Sequence, residues 1–163
     1  MFSSRAITKG IEVSVQSSYV PEQSEPDQQQ WFFAYRVRIY NSGSDTVQLM
    51  TRHWVITDAN GKIEEVRGPG VIGKQPKLEP GQSFEYTSAC PLGTAFGTMH
   101  GSYQMRLPGG DELDVEIAPF TLAAPLLPSP QLALAFFPAP LYGALLNHHY
   151  SRRRRNICLS RRS

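Results

Sequence analysis

Three groups of residues have types and spacing that could do chemistry. Gly68, Gly70 and Gly73 form G-x-G-x-x-G within "VRGPGVIGKQP", the spacing that in dinucleotide-binding folds brings backbone N–H groups up to a pyrophosphate. Arg52 and Trp54 stand two apart, so on a strand they share a face. The guanidinium could then lie along the indole, pair with Glu64 or Glu65, or take an anion or a partner carboxylate. Cys90 and His100 are the one thiol and imidazole pairing worth weighing for nucleophilic catalysis, and His53 and His100 are weak candidates for a metal site.

Most of this chemistry fails on its surroundings. A dinucleotide fingerprint needs a helix opening at its third glycine and an acidic residue about twenty positions on. Gly73 is instead followed by "KQPKLEPGQ", where Pro76 and Pro80 break any helix, and the neighbours of Gly93 are small or apolar. A triad has no third group to orient His100, and neither histidine has a second ligand at short spacing. The sequence therefore predicts no catalytic residues, no cofactor and no metal. What remains is a loop of fixed backbone shape, from Arg67 to Pro76. Gly70 and Gly73 supply φ values closed to other residues, and Pro69 and Pro76 restrict the rest. Such a loop can contact a partner, or offer N–H groups to an anion as a nest.

The elements that position this loop follow period two. Ile11, Val13 and Val15 alternate with Glu12, Ser14 and Gln16. Trp31, Phe33, Tyr35, Val37 and Ile39 alternate with residues that include Arg36 and Arg38. Both segments read as half-buried strands. In "TVQLMTRHWVITD" the apolar phase moves from Val47 and Leu49 to Trp54 and Ile56, which predicts a bulge near Arg52. Asp58 to Gly61 reads as a turn into a short strand at Lys62 to Val66. "SFEYTSAC", "GSYQMRL" and "ELDVEIAPFTL" read as three more, the last two joined by Gly109-Gly110. No window carries a helical stripe. About seven strands with short turns predict an all-β sandwich of the immunoglobulin or fibronectin type III kind over residues 10–125, after a lead at residues 1–9.

"FAYRVRIYNSGSDTVQLMTRHWVITDANG", "VRGPGVIGKQPKLEPGQSFEYTSACPL" and "GTMHGSYQM" closely resemble the ApaG family, whose domain also occurs in an F-box protein and in a polymerase-delta-interacting protein. The resemblance runs from about Ile7 to Pro125 and is most specific at Arg52-x-Trp54 and at Gly68, Gly70, Gly73, Gln75 and Pro76. It implies a fibronectin-like sandwich without established enzymatic activity. In bacteria the family is associated with cobalt tolerance and magnesium efflux; in eukaryotic proteins the domain looks like a protein-interaction module. This chain carries no F-box, so a ubiquitin-ligase role does not transfer.

Charge divides the chain. Residues 1–125 hold all fourteen acidic residues and ten basic ones, a net −4, while the remaining arginines, Arg152 to Arg155, Arg161 and Arg162, give the tail +6. An acidic body does not suit nucleic acid, so any attraction to anionic surfaces belongs to the tail. Residues 126–163 combine an uncharged, proline-interrupted run with these arginines and predict a disordered extension, since the prolines spoil a spanning helix. Two cysteines, Cys90 and Cys158, make no disulfide framework and suit a reducing, cytoplasmic setting. The expected function is a non-catalytic interaction module binding a protein partner through Gly68, Gly70, Gly73, Gln75 and Pro76, with Arg52, Trp54 and Arg67 beside them. The competing expectation is a small-ligand module for phosphate, pyrophosphate or a divalent cation.

Overall fold

The computed structural model describes residues 1–125; the expected tail at residues 126–163 lies outside them. Nine strands run in order: β1 (Phe2–Thr8), β2 (Ile11–Tyr19), β3 (Trp31–Asn41), β4 (Val47–Asp58), β5 (Ile63–Pro69), β6 (Lys77–Leu78), β7 (Ser83–Leu92), β8 (Phe96–Arg106) and β9 (Glu112–Ala123). Two 3₁₀ turns, Pro21–Gln23 and Pro26–Gln28, lie between β2 and β3. The strands form two antiparallel sheets, ordered β1-β2-β3-β7 and β5-β4-β8-β9, with β6 also on β4. Without β1 and the two-residue β6, the seven principal strands divide three and four between the layers of a fibronectin type III-like sandwich.

Alternation creates the core. Ile11, Val13 and Val15 of β2 and Phe33, Tyr35, Val37 and Ile39 of β3 are buried against Leu49, Trp54 and Ile56 of β4, Met99, Tyr103 and Met105 of β8, and Val115, Ile117 and Phe120 of β9. Trp54 is the centre of an aromatic cluster. Its ring centroid lies 5.3 Å from that of Tyr35, 6.0 Å from Phe120 and 6.3 Å from Tyr103, all edge-on, the arrangement that ring quadrupoles favour.

The strands cross between sheets at Asn41, which is fully buried. Its side-chain N–H groups donate to the carbonyls of Asp45 (2.7 Å) and Leu78 (2.9 Å), and its oxygen accepts from the Gly43 N–H. Every polar atom of the amide is therefore satisfied where burial would otherwise penalise it.

Two strands were not expected. Residues 1–9 do not simply lead into the domain. β1 pairs with β2 and reaches across to β9, where the Ser4 hydroxyl donates to the Ala118 carbonyl (2.9 Å) and Thr8 accepts from the Glu116 N–H (3.1 Å). Its inward positions are Ser4, Ala6 and Thr8, whereas Phe2 and Ile7 face solvent, so an apolar alternation is absent where the strand is present. β6 is too short for any period to register. The predicted turns at Asp58 to Gly61 and Gly109-Gly110 are formed, with positive φ at Gly61 and Gly110.

Candidate interaction site

The bulge in β4 creates the site. The register between β4 and β8 slips between Leu49 and Thr51, slightly before Arg52, and this resets the phase so that Arg52 and Trp54 turn inward where Val47 and Leu49 had done so. The same slip divides the outer edge of β4. Thr51 to Thr57 pair with β5, while Val47 and Gln48 pair with β6. The chain between those strands, residues 70–76, is the glycine loop, and it bridges the bulge.

Four contacts fasten the loop there. The Met50 carbonyl accepts from both the Gly70 N–H and the Gln75 side-chain amide, each at 2.9 Å. The Leu49 N–H donates to the Pro76 carbonyl (3.0 Å), and the Gln48 amide to the Gln75 carbonyl (3.1 Å). Gln75 and Pro76 thus supply partners for Met50 and Leu49 on the outer edge of β4, where neither β5 nor β6 pairs with it.

Between these anchors the chain makes a tight hairpin. Val71 and Lys74 exchange both backbone hydrogen bonds, at 2.8 and 2.9 Å. The two residues between them, Ile72 and Gly73, have φ of +46° and +74°. Positive φ at both central positions is the signature of a type I′ turn, which ordinarily takes Asn-Gly. Ile72 pays for this position with backbone strain, since β-branched residues avoid the left-handed region. Gly70 has φ of +59°, and a Cβ built on it would lie 2.3 Å from the Lys74 carbonyl oxygen.

Arg52 lies beneath the loop. One terminal nitrogen donates to the carbonyls of Pro69 (2.9 Å) and Gly70 (2.8 Å), which holds the start of the loop against β4. Gly68, its register partner on β5, leaves room for the guanidinium, because a Cβ there would meet it at 3.2–3.4 Å. Neither Glu64 nor Glu65 pairs with Arg52. Glu65 instead meets His53 (3.2 Å) and, at 3.9 Å, Arg67. Glu65 stands on the outward side of β4 with His53, whereas Glu64 shares the face of Arg52 but lies opposite Ile56, four positions further along the ladder.

Above Arg52 and Trp54 the two sheets leave a shallow pocket, walled by Val71 and Ile72 of the loop and by Tyr35, Tyr86 and Ser88 of the other sheet. Burial raises the Tyr103 phenol above its ordinary range, and the hydrogen-bonded Tyr86 hydroxyl and Tyr35 add to this while Arg52 opposes it. At the floor of the pocket the Arg52 guanidinium is held by the loop carbonyls.

The other candidates are dispersed. Cys90 is buried inside the first sheet and His100 is exposed on the second, beside Val55. His53 is occupied by Glu65, and among the described residues no three potential metal ligands come together. The loop N–H groups of Gly70, Val71 and Lys74 are spent on Met50 and on each other, which leaves an anion nest fewer donors. The sequence placed Val71 and Ile72 within the loop without singling them out, and it missed Tyr86 and Ser88. Ile-Gly is not a recognised turn pair, and nothing in the alternation of β7 tells which inward residue will border an opening.

Arg52→Lys is expected to loosen the loop, because an ammonium cannot replace a planar guanidinium bridging two carbonyls under Gly68. Bonds to a charged donor contribute about 1.5–3 kcal/mol. Amide hydrogen exchange should show faster exchange at Gly70 and Val71 with little change at Val37 in the core; equal protection in both proteins would show that Arg52 does not hold the loop.

The two antiparallel sheets, with a preformed, hydrogen-bonded loop over a gap between them, define a fibronectin type III-like β-sandwich domain. Comparison with known proteins gives its family. Residues 21–107 match the ApaG domain, and the chain is 54% identical over 121 residues to protein ApaG of Brucella anthropi, covering 74% of this chain and 93% of that one. Protein ApaG of Rhodopseudomonas palustris is 53% identical over the same share. The solved structure of a Bordetella pertussis protein described as ApaA superposes with a TM-score of 0.69 at 55% identity, covering 71% of this chain and 94% of that one. The chain belongs to the ApaG domain family.

Proposed function

We propose that this domain is a non-catalytic protein-interaction module that takes its partner at the glycine loop and the pocket beside it. The observation that supports this reading is Ile72. Residues held in sparsely populated backbone regions cost on the order of 1–3 kcal/mol, persist only where the surrounding structure holds them, and cluster at functional sites. Asparagine at this position would make the same turn with less strain. An isoleucine there presents an apolar side chain at the mouth of a pocket floored by Trp54 and Arg52. The rest of the loop is braced to the sheet, so little ordering is left to oppose binding.

Ile72→Asn separates stability from function. Relief of the backbone strain should offset the lost burial, leaving stability within about 1 kcal/mol of the parent. Affinity capture from native cells with the full chain should then recover a specific set of proteins with the parent and lose it with Ile72→Asn. Recovery of the same proteins in the same amounts by a folded Ile72→Asn chain would show that the loop is not the contact surface.

A further inference from the structure

We infer that the pocket beside the glycine loop is the seat for a single carboxylate, an aspartate or glutamate side chain of the partner, received by the guanidinium of Arg52. This inference rests on the interaction reading above and adds the chemistry of the contact.

The first observation is a cation without a counter-charge. Arg52 is half-buried, and among the described residues it makes no ion pair. Tyr103, its register partner on β8, does not neutralise it, because burial raises that phenol and keeps it protonated. Taking a charge out of water is costly unless it is paired, and a carboxylate offers two oxygens that match the guanidinium fork.

The second observation is the placement of the donors. Both hydrogen bonds of Arg52 come from Nη1, to the carbonyls of Pro69 and Gly70, and Nε and Nη2 donate to no described residue. Gly68, over which the guanidinium lies, and the two carbonyls fix the plane in which those remaining N–H groups are offered. The receptor side of the contact is therefore ordered before anything binds.

The third observation is the opening itself. Arg52 lines it together with the hydroxyl-bearing residues Tyr35, Tyr86 and Ser88, and the cavity volume is about 20 Å³. That admits a group somewhat larger than one water molecule, which suits a carboxylate and not a pyrophosphate or an aromatic ring. Only the head of a ligand enters, so the carboxylate is presented from outside, its stem passing Ile72 at the mouth.

The probe is sodium formate, the smallest carboxylate, titrated into the ¹⁵N-labelled full chain and followed by NMR at the Arg52 Nε–H and at the Gly70 and Val71 amides. These signals should shift saturably, with half-saturation in the millimolar range, and sodium chloride at the same ionic strength should not reproduce the shifts. Ser88→Ala should raise the half-saturation concentration about threefold to tenfold, as loss of one hydrogen bond does, with the Val37 amide in the core unmoved. Arg52→Lys should weaken the response of Gly70 and Val71 by about tenfold or more, because an ammonium has no fork. Shifts that do not saturate, that chloride matches, or that survive Arg52→Lys unchanged would overturn the proposal. Inorganic phosphate acting on the same signals at lower concentration than formate would make this a general anion site and overturn the carboxylate class. Loss of partner capture on Ile72→Asn with no response to formate would overturn this inference and leave the interaction reading intact. A response to formate with capture undiminished in Ile72→Asn would overturn the interaction reading, and with it the partner as the source of the carboxylate.

Discussion

Gly70→Ala is expected to destabilise the fold by about 2–5 kcal/mol, far more than alanine at the neighbouring glycine. Two costs add. The left-handed backbone at φ +59° penalises an L-residue by about 1–2 kcal/mol, and the new methyl would stand 2.3 Å from a backbone oxygen that cannot swing aside. Relieving that overlap means opening the Val71–Lys74 hairpin or releasing Gly70 from Met50, and overpacking of this kind costs about 1–3 kcal/mol. Gly73 also has positive φ, but nothing lies within 4 Å of a Cβ built there, so Gly73→Ala should cost only the backbone share, about 1–2 kcal/mol. Urea denaturation followed by circular dichroism measures both. Equal losses would show that the closeness of Lys74 to Gly70 does not matter to the fold.

Trp54→Ala should cost about 3–5 kcal/mol, the usual range for removing a large aromatic from a packed core. Trp54 is 1% exposed and makes edge contacts with rings from both sheets, Tyr35 on one and Tyr103 and Phe120 on the other. A domain of this size has about 5–15 kcal/mol in total, so the variant should be close to its unfolding limit at moderate temperature. Its near-ultraviolet dichroism should collapse before its far-ultraviolet signal. The same denaturation experiment on Trp31→Ala, half-buried at the start of β3, should show a smaller loss. A loss below about 1 kcal/mol for Trp54→Ala would contradict the packing described here.

How far these features could be read from the amino acids depends on what each one depends on. β2 and β3 were legible because Ile11 to Val15 and Trp31 to Ile39 bury one face and expose the other. The bulge was legible for the same reason, since only a slipped register brings Trp54 inward after Leu49. β1 was hidden because its inward residues are small or polar, and part of what holds it, besides β2, is β9, far away in the chain. The loop was visible as glycine spacing, but its construction was not. The bonds that build it run from Arg52, Gln75 and Gly70 to backbone carbonyls of Pro69, Gly70 and Met50, and carbonyls have no letter in a sequence. For Arg52 the visible acids, Glu64 and Glu65, were the wrong partners. Ile72 was invisible for the opposite reason: its residue type argues against the conformation it adopts.

The division of one edge of β4 between β5 and β6 gives the loop an independence that a hairpin tip lacks. Its two ends are fixed separately, Pro69 opposite Thr51 and Leu78 opposite Val47, and neither strand depends on the loop to find its register. Lengthening a segment whose ends are already held costs little, about 0.6 kcal/mol for each doubling. Residues 72 and 73, the tip beyond buried Val71 and the Val71–Lys74 pair, can therefore be exchanged or extended while the scaffold keeps its shape. Selection could retune what this surface recognises there, one short insertion at a time, without renegotiating the fold.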